Sequence, residues 1–336
     1  MKKYTTITLL ILGLLLQTYY AQDKKLAQTG MKFLGVSTDA RASSMSEAVT
    51  AVDLGSASAV FYNPSTMASL KEFTSFSVGR VGWIADINYI HSAIAFAPEE
   101  GRYGVLGFSF LYVDYGDFNG TVVASNDKGY VDVGTYSPKA YSFGVSYARE
   151  LSTKFSVGGS VKYVNQDLGS SVVDFDATSA SYITEENSKG AIAFDFGIFY
   201  RTGFKSLNFG MSVRNFSQEL SYKKETFQMP LTFKIGLSMD ALDLFSVDKN
   251  MHSLIVSIDA SHPRDYSEQI FVGGEYTFMK TFSVRAGFVS PSDEYHFTAG
   301  VGVKRNIGGV DTGIDFAYQP FGIFDNVYRF TFNFAL

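Results

Sequence analysis

The chain has 336 residues, of which 46% are hydrophobic and 18% are charged, and its formal net charge is −5. An acidic chain lacks the basic surface that nucleic-acid binding requires. The absence of cysteine excludes disulfide bonds, cysteine-bound metal and a lipid-modified N-terminal cysteine. The 31 Phe, 21 Tyr and 31 Gly are typical of membrane β-barrels, in which aromatic side chains face lipid and glycine allows tight turns.

The first 21 residues have the pattern of a secretory signal peptide. Lys2 and Lys3 give the positively charged start, and 7–16 form an apolar run that is too short to span a bilayer. Cleavage is expected near Ala21. No later segment reaches the roughly 18 consecutive apolar residues of a membrane-spanning helix. If the mature chain resides in a membrane, it must therefore be a closed β-barrel, because open sheet edges cannot face lipid.

Residues 22–72 differ from the rest of the chain, because small residues dominate and strict alternation is weak. Short helices and turns are expected here rather than strands. The segment ends near Asn63-Pro64, where the proline holds the preceding asparagine out of the helical region. A compact segment of small residues ahead of the first strand predicts an N-terminal hatch, or plug, packed inside a barrel lumen.

From residue 73 to residue 336, apolar residues alternate with polar or small ones, which is the two-residue period of a β-strand. In the last segment, Tyr328, Phe330, Phe332, Phe334 and Leu336 alternate with Arg329, Thr331, Asn333 and Ala335. Alternation alone leaves open which face points inward. Many segments, however, run to about ten residues, as tilted membrane strands do. We predict an all-β fold, a transmembrane antiparallel β-barrel of about 14 strands, which the last segment closes against the first strand.

The predicted connections alternate in length. Those after even-numbered strands are mostly tight, as at 151–153 and 279–281, whereas those after odd-numbered strands include the long loops 114–137 and 167–190. Short periplasmic turns and longer outer loops are expected of outer-membrane barrels, and an even strand count places both chain ends in the periplasm. The long connection 240–251 breaks this pattern.

Several motifs of the N-terminal segment occur together in one known family. They are Phe33-Leu34-Gly35-Val36, Asp39-Ala40-Arg41-Ala42, Met45, Glu47-Ala48, Thr50-Ala51-Val52 and Ala59-Val60-Phe61-Tyr62-Asn63-Pro64-Ser65. With these motifs the chain resembles the PorV/PorQ family of outer-membrane proteins, which are similar in fold to the fatty-acid transporter FadL. Ser46 and Ser65 stand where the family usually has Gly and Ala, so one small residue replaces another.

The resemblance implies a fourteen-stranded barrel with an N-terminal hatch in the outer membrane of a member of the Bacteroidota. PorV-like members work in type IX secretion, where they recognise a C-terminal signal domain of the cargo and deliver it to an attachment complex. PorQ-like members anchor a partner of that complex. FadL-like relatives instead pass hydrophobic molecules through the hatch.

Two functions of different classes remain open at this point. The chain is expected to be either a non-enzymatic component of type IX secretion that binds cargo or a translocon or attachment partner, or a FadL-like channel for hydrophobic small molecules. An enzymatic function has the least support, because the four histidines show neither a Ser–His arrangement nor metal-ligand spacing. They are His91, His252, His262 and His296. We expect no catalytic residue, no metal and no cofactor. The expected partners are outer-membrane lipid and secretion-system proteins.

Arg41 is the most informative single residue of the predicted hatch. A charge in a segment of small residues must be paired or hydrated. Inward-facing carboxylates of the wall, for instance Asp195, Asp240 or Asp315, could pair with it, and the alternative is an arginine exposed at the periplasmic mouth. Asn63 and Pro64 are expected to set the turn from the hatch into the wall, which is a structural role.

The predicted outer loops carry two candidate features. Apolar side chains suggest a surface for a partner, or else contact with lipid or other loops. They are Val172, Val173, Phe175, Ile183 and Phe227. The loop 114–137 contains several acidic residues that could bind calcium, but their spacing fits a solvated acidic loop better.

Overall fold

The computed structural model of the chain describes residues 29–176, 178–179, 181–222 and 225–336. Within these residues, 14 antiparallel strands form a closed barrel. They are β1 (Thr74–Gly82), β2 (Asn88–Phe96), β3 (Val105–Asp114), β6 (Lys139–Ser152), β7 (Phe155–Asp176), β8 (Ser181–Arg201), β9 (Asn208–Phe216), β12 (Thr232–Asp240), β13 (His252–Pro263), β14 (Gln269–Phe278), β15 (Phe282–Ser290), β16 (Phe297–Ile307), β17 (Val310–Gln319) and β18 (Val327–Ala335). The barrel confirms the predicted fold class, and the predicted signal peptide lies outside the described residues.

Short elements complete the fold. Two strand pairs lie outside the barrel, β4 (Phe118–Val123) with β5 (Tyr130–Tyr136) and β10 (Leu220–Ser221) with β11 (Thr226–Phe227). The helices are α1 (Ala40–Ser44), α2 (Pro98–Gly101) and five 3-10 turns at Lys32–Gly35, Ala57–Phe61, Pro64–Ser69, Ile84–Asp86 and Ala241–Leu244. None of the described helices combines the length and hydrophobicity that a membrane span would need.

The first and last strands close the barrel. β1 pairs with β18 in antiparallel register, with Val78 opposite Phe332. At the chain end, the amide nitrogens of Thr74 and Leu336 each donate to the other residue's carbonyl oxygen, at 3.1 and 2.9 Å. Every barrel strand therefore has two neighbours, which leaves no open sheet edge around the wall.

The apolar face of the strands points outward. Phe330 and Phe332 of β18 are 57% and 39% exposed, whereas Arg329 and Thr331, which alternate with them, are 1% and 2% exposed. In β12, Leu237 is 49% exposed and Lys234 is 5% exposed. Apolar residues outside and charges inside are the arrangement of a membrane barrel and the reverse of a soluble one.

The long connections contain more strand than expected. The prediction of a loop over 167–190 is wrong there, because β7 and β8 continue through it and stay paired as far as Asp176 and Ser181. Its Val, Ile, Thr and Tyr residues favour extended backbone, which the loop prediction overlooked. The connection 114–137 holds the β4–β5 pair, and 240–251 holds a 3-10 turn. We call the end of the barrel that carries the β7–β8 extension, the β4–β5 pair and the β10–β11 pair the hairpin end.

A charge on the outer face should weaken membrane insertion. Phe330→Lys is expected to lower the free energy of unfolding in lipid bilayers by about 2–4 kcal/mol, because lysine near the bilayer midplane must leave water. Denaturant titration of refolded protein in liposomes measures the change. The matched control is Ile323→Lys, since Ile323 lies in the connection between β17 and β18 and is 96% exposed. An equal loss in both variants would contradict an outer face in contact with hydrocarbon.

Candidate functional site

The N-terminal segment, residues 29–72, contacts the inner wall on all sides. Helix α1 lies against β15 to β18, the turn Ala57–Phe61 lies against β1 to β3, and the turn Pro64–Ser69 lies against β6 to β8. Most of its side chains are buried. The interior of the barrel is therefore the place where this segment and the charged face of the strands meet.

Polar side chains fix the local turns of the N-terminal segment. Asp39 is the N-cap of α1, and its carboxylate accepts from the Ala42 amide at 2.9 Å. The Asn63 amide group donates to the carbonyl oxygens of Thr50 and Ile198, at 2.8 and 3.1 Å, while its oxygen accepts from the Ser65 hydroxyl at 2.7 Å. Asn63 therefore joins two parts of the segment to strand β8.

Inward-facing glycines of the wall allow the segment to lie against the strand backbone. A Cβ atom on Gly158 would lie 2.6 Å from the carbonyl carbon of Pro64, and one on Gly273 would lie 2.8 Å from the Cβ atom of Met45. Both distances are shorter than real contacts, so a larger residue at either position would push the segment away. Glycine within a strand often marks such a close approach.

Arg41 belongs to a chain of four paired charges. Its Nη2 atom lies 2.7 Å from Oε1 of Glu275, and its Nε atom donates to Oε2 at 2.8 Å. Glu275 also pairs with Arg285, whose Nη1 atom lies 2.7 Å from Asp315. Arg41 is thus paired with a wall carboxylate, but the carboxylate is Glu275. The proposed partner Asp315 lies one arginine further along this chain.

The two other proposed partners of Arg41 have different neighbours. Asp195 pairs with Lys162 at 2.8 Å and accepts from the Asn215 amide nitrogen at 2.8 Å. Asp240 accepts from the Ser253 hydroxyl at 2.8 Å and caps the turn Ala241–Leu244. The sequence analysis did not select Glu275 or Arg285. The available signal was that both charges occupy inward-facing positions in their strands.

Glu47 of the N-terminal segment lies between two cations of the wall. Its Oε2 atom is 3.4 Å from Arg214 Nη2 and 3.4 Å from Lys234 Nζ. Burial acts to raise the pKa of Glu47, but the Lys234 ammonium and the Arg214 guanidinium outweigh it and hold the pKa below its usual value. The carboxylate therefore stays ionised and links the segment to β9 and β12.

Burial has the opposite result at Asp39. It raises the pKa of that carboxyl above its usual value, even though the Ala42 amide and the Arg41 and Arg285 guanidinium groups act to lower it. One carboxylate oxygen of Asp39 accepts the cap hydrogen bond, and the other has no partner among the described residues. Asp39 therefore contributes less than Glu47 to the ionic contacts between the N-terminal segment and the wall.

The candidate partner residues fall into two groups. Val173, Phe175 and Ile183 are 50%, 51% and 46% exposed on the extended β7–β8 hairpin, and Val172 on the same hairpin is half-buried. Phe227 lies apart from them in β11, where its ring stacks on Tyr222 with the centroids 5.4 Å apart. The structure therefore brings four of the five residues together.

The four histidines are spread over the barrel. His91 is buried beside Phe61, and His296 contacts the Val289 carbonyl oxygen at 3.2 Å. His252 and His262 contact the hydroxyl of Tyr276 and the carboxylate of Glu268, at 2.7 and 3.0 Å respectively. Across the described part of the chain, no three His, Asp or Glu residues converge as metal ligands.

Two adjoining cavities lie in the lumen at the hairpin end. The larger, of about 550 Å³, is bounded by the N-terminal segment at Phe33 and by aromatic residues of the wall. These are Trp83, Tyr89, Tyr115, Tyr295 and Phe321. The smaller, of about 250 Å³, is lined by Arg214 and Lys234 and shares Glu47 with the larger one. A third cavity, of about 240 Å³, borders Arg41 at the opposite end.

Removing Glu275 from the middle of the Arg41 charge chain should destabilise the barrel more than removing Arg41 from its end. Glu275→Gln is expected to cost about 3–5 kcal/mol of unfolding free energy, because it leaves Arg41 and Arg285 without their shared carboxylate. Arg41→Gln should cost less, since Glu275 keeps Arg285. Urea titration of the refolded barrel measures both, with exposed Lys280→Gln as control. Equal stability of wild type and Glu275→Gln would contradict the pairing.

The Glu47 contacts predict an acid-sensitive interior. A carboxylate whose folded pKa lies below its unfolded value stabilises above that value, and the contribution is lost as pH falls through the folded pKa. Stability should therefore decline below about pH 4.5, the reference value for Glu. Glu47→Gln should be less stable at pH 7 and should show a shallower decline than wild type. An exposed control, Glu72→Gln, should keep the wild-type slope. An unchanged slope in Glu47→Gln would refute the assignment.

Comparisons with solved structures agree on the fold. The chain is similar to the CymD monoaromatic hydrocarbon channel, with 12% identity, a TM-score of 0.52 and coverage of 89% of this chain and 96% of that one. A FadL homologue from Pseudomonas aeruginosa gives 12% identity, a TM-score of 0.52 and coverage of 88% and 97%. The toluene transporter TodX from Pseudomonas putida gives 10% identity, a TM-score of 0.50 and coverage of 82% and 91%. These values show a shared FadL-like barrel fold.

Sequence comparison gives the family. The family described as "Type IX secretion system protein PorV" matches residues 19–258, well over half of the chain. No curated protein matches the sequence. The matched region includes the whole described N-terminal segment and the strands β1 to β9 and β12 that surround much of it. The chain therefore belongs to the PorV family of the type IX secretion system and is an outer-membrane β-barrel with a FadL-like fold.

Proposed function

We propose that this chain is a non-enzymatic component of type IX protein secretion that binds another protein at its hairpin end. The observation that carries the proposal is the extension of β7 and β8 beyond the barrel wall. β6 follows β7 only to Asp167, and β9 follows β8 only from Phe194. Beyond these points the two strands pair only with each other, up to Asp176 and Ser181.

A two-stranded hairpin without neighbours is marginally stable in water. Its outer edges carry unpaired backbone groups that can pair with a strand of another protein. Val173, Phe175 and Ile183 add exposed apolar area beside these edges. Nine residues of strand beyond Asp167 correspond to about 30 Å, enough to reach well beyond the membrane surface. These features favour a protein partner over contact with lipid alone.

The orientation and domain organisation form part of the same proposal. Residues 1–21 act as the signal peptide, cleaved near Ala21, residues 22–72 act as a plug, and residues 73–336 form the barrel. The short turns then lie in the periplasm, and the hairpin end faces outward. Glu47, Arg41 and Asn63 support the plug role, because each bonds to the wall.

The family suggests which kinds of protein the hairpin would bind. A cargo signal domain and a translocon or attachment protein are the two candidates, and a PorV-type shuttle or a PorQ-type anchor would use the same exposed hairpin. The charged residues of 168–190 are Asp174, Asp176, Glu185, Glu186 and Lys189, which favours a partner surface with basic groups.

The alternative function is a channel for hydrophobic small molecules, as the printed names of CymD and TodX describe for those proteins. A hydrophobic passage needs a continuous apolar path. Here the inner face carries Arg285, Glu275 and Lys234, and the N-terminal segment packs against it. These residues argue against a permanently open apolar route, so we favour protein binding.

The hairpin can be tested by a matched pair of triple variants. The variant Val173→Ser/Phe175→Ser/Ile183→Ser should reduce recovery of co-purified secretion proteins by about tenfold or more in a mild-detergent pull-down read by mass spectrometry, because it removes about 1.4 kcal/mol or more of binding free energy. The control Phe118→Ser/Val123→Ser/Val131→Ser removes comparable exposed apolar groups from β4 and β5.

The control variant should keep wild-type recovery of the partner. Retention of the partner by the β7–β8 variant would refute the hairpin as the binding surface. Recovery of wild-type chain alone, with lipid as the only bound material, would instead support the channel function.

A further inference from the structure

Three exposed cations lie close together in sequence and space at the barrel end opposite the hairpin end. Arg149 lies near the end of β6, Lys154 lies in the turn between β6 and β7, and Lys205 lies in the turn between β8 and β9. Among the residues that the structure describes, none of the three forms an ion pair. This edge of the barrel therefore presents positive charge, although the chain as a whole has a net charge of −5.

The two turns form one surface, because they contact each other directly. The Arg201 amide nitrogen donates to the Lys154 carbonyl oxygen at 2.8 Å. The Lys154 ammonium lies across the second turn, where a Cβ atom on Gly203 would come within 2.8 Å of its Nζ atom. We call Arg149, Lys154 and Lys205 together the basic rim.

The neighbouring carboxylates already have cationic partners. Glu150 lies 3.1 Å from Nη1 of Arg201 and 3.6 Å from Nζ of Lys71. Asp243, in the connection after β12, pairs with Lys249. Neither carboxylate is thus left as a counter-charge for the basic rim.

Exposed apolar side chains accompany the basic rim. Leu151 and Phe204, in or beside the same two turns, are 60% and 59% exposed. Tyr147 and Tyr200 lie on the outer face of β6 and β8 just before these turns. Aromatic side chains of membrane barrels gather where the hydrocarbon meets the headgroups. The basic rim therefore lies at the headgroup level of one leaflet, where lysine and arginine extend their charged ends away from the hydrocarbon.

We propose that the basic rim binds the headgroup of an anionic phospholipid in this leaflet. Arg149, Lys154 and Lys205 face the negative headgroup, while Leu151 and Phe204 pack on the glycerol and the upper acyl chains. Each Lys or Arg near an anionic membrane surface increases affinity roughly fivefold.

Two features favour a lipid over a soluble partner. The surface is continuous with the outer face of the wall, which already contacts lipid, and its charge is complementary to that of an anionic headgroup. The orientation proposed above makes this the periplasmic leaflet. The lipid site goes beyond the proposed protein-binding function and uses the opposite end of the barrel.

Tryptophan quenching by brominated lipids measures which lipid lies next to one chosen position. The full chain with Trp83→Phe and Phe204→Trp carries a single tryptophan, located in the second turn. It is refolded into phosphatidylcholine bilayers that contain increasing amounts of brominated phosphatidylglycerol or, in a parallel series, brominated phosphatidylcholine.

Phosphatidylglycerol should bind beside this tryptophan about fivefold or more tightly than phosphatidylcholine. The preference should fall in about 1 M salt, which screens exposed charges. Equal quenching by the two lipids at low salt would overturn the proposal and would favour a soluble partner for the basic rim.

Variants in the same background test the three cations. Arg149→Gln/Lys154→Gln/Lys205→Gln should reduce the preference for phosphatidylglycerol to nearly onefold, because it removes the charges that face the headgroup. Lys154→Arg, which keeps the charge, should keep the preference. An unchanged preference in the triple variant would refute the site.

A charge-matched control separates a local site from the general effect of net charge. Lys249→Gln/Lys280→Gln/Lys304→Gln removes three cations from the same end of the barrel, of which Lys249 and Lys304 are already paired with carboxylates. The control should keep the wild-type preference. An equal loss in both triple variants would contradict binding at the basic rim.

Discussion

The structure depends on one constraint, which is that the outer face of the wall must be apolar. Because side chains of a strand alternate between faces, strands that present Phe, Val, Leu and Ile outward place their intervening polar residues inside. The lumen therefore receives Arg285, Arg329 and Lys234, three cations that are almost fully buried. Most of what distinguishes this barrel follows from how those charges are accommodated.

The N-terminal segment supplies charge partners for several charged residues of the wall. Glu47 provides a carboxylate for two wall cations, and Arg41 provides a cation for Glu275, so the segment and the wall complete each other's charges. Removing one member of such an ion pair would leave a buried charge unpaired, which would lower the free energy of unfolding. Inward-facing glycines such as Gly158 give the segment the space to approach. Arg329 instead donates from its Nε atom to the Ser37 carbonyl oxygen at 2.8 Å and lies beside the Trp83 ring.

Much of the fold could be predicted from the sequence, since a two-residue period and strand length are local properties. They gave the fourteen strands and the apolar outer face. The extension of β7 and β8 was missed, because polar residues such as Asp174 and Glu186 conceal strand pairing where both faces are wet. The partner of Arg41 could not be deduced either. Several inward carboxylates were equivalent in sequence, and only the register of the closed barrel places Glu275 beside Arg41.

Nitroxide labels at single introduced cysteines test the inside-out arrangement most directly, and the cysteine-free chain makes such labelling specific. Val284 and Ile314 face outward, while Ser283 and Thr277 line the inner cavity beside Arg41. In bilayers, labels at the outward positions should collide with lipid-soluble oxygen and be shielded from a water-soluble nickel complex, and labels at the inward positions should not show this pattern. The opposite pattern, or equal oxygen access at all four positions, would contradict the account.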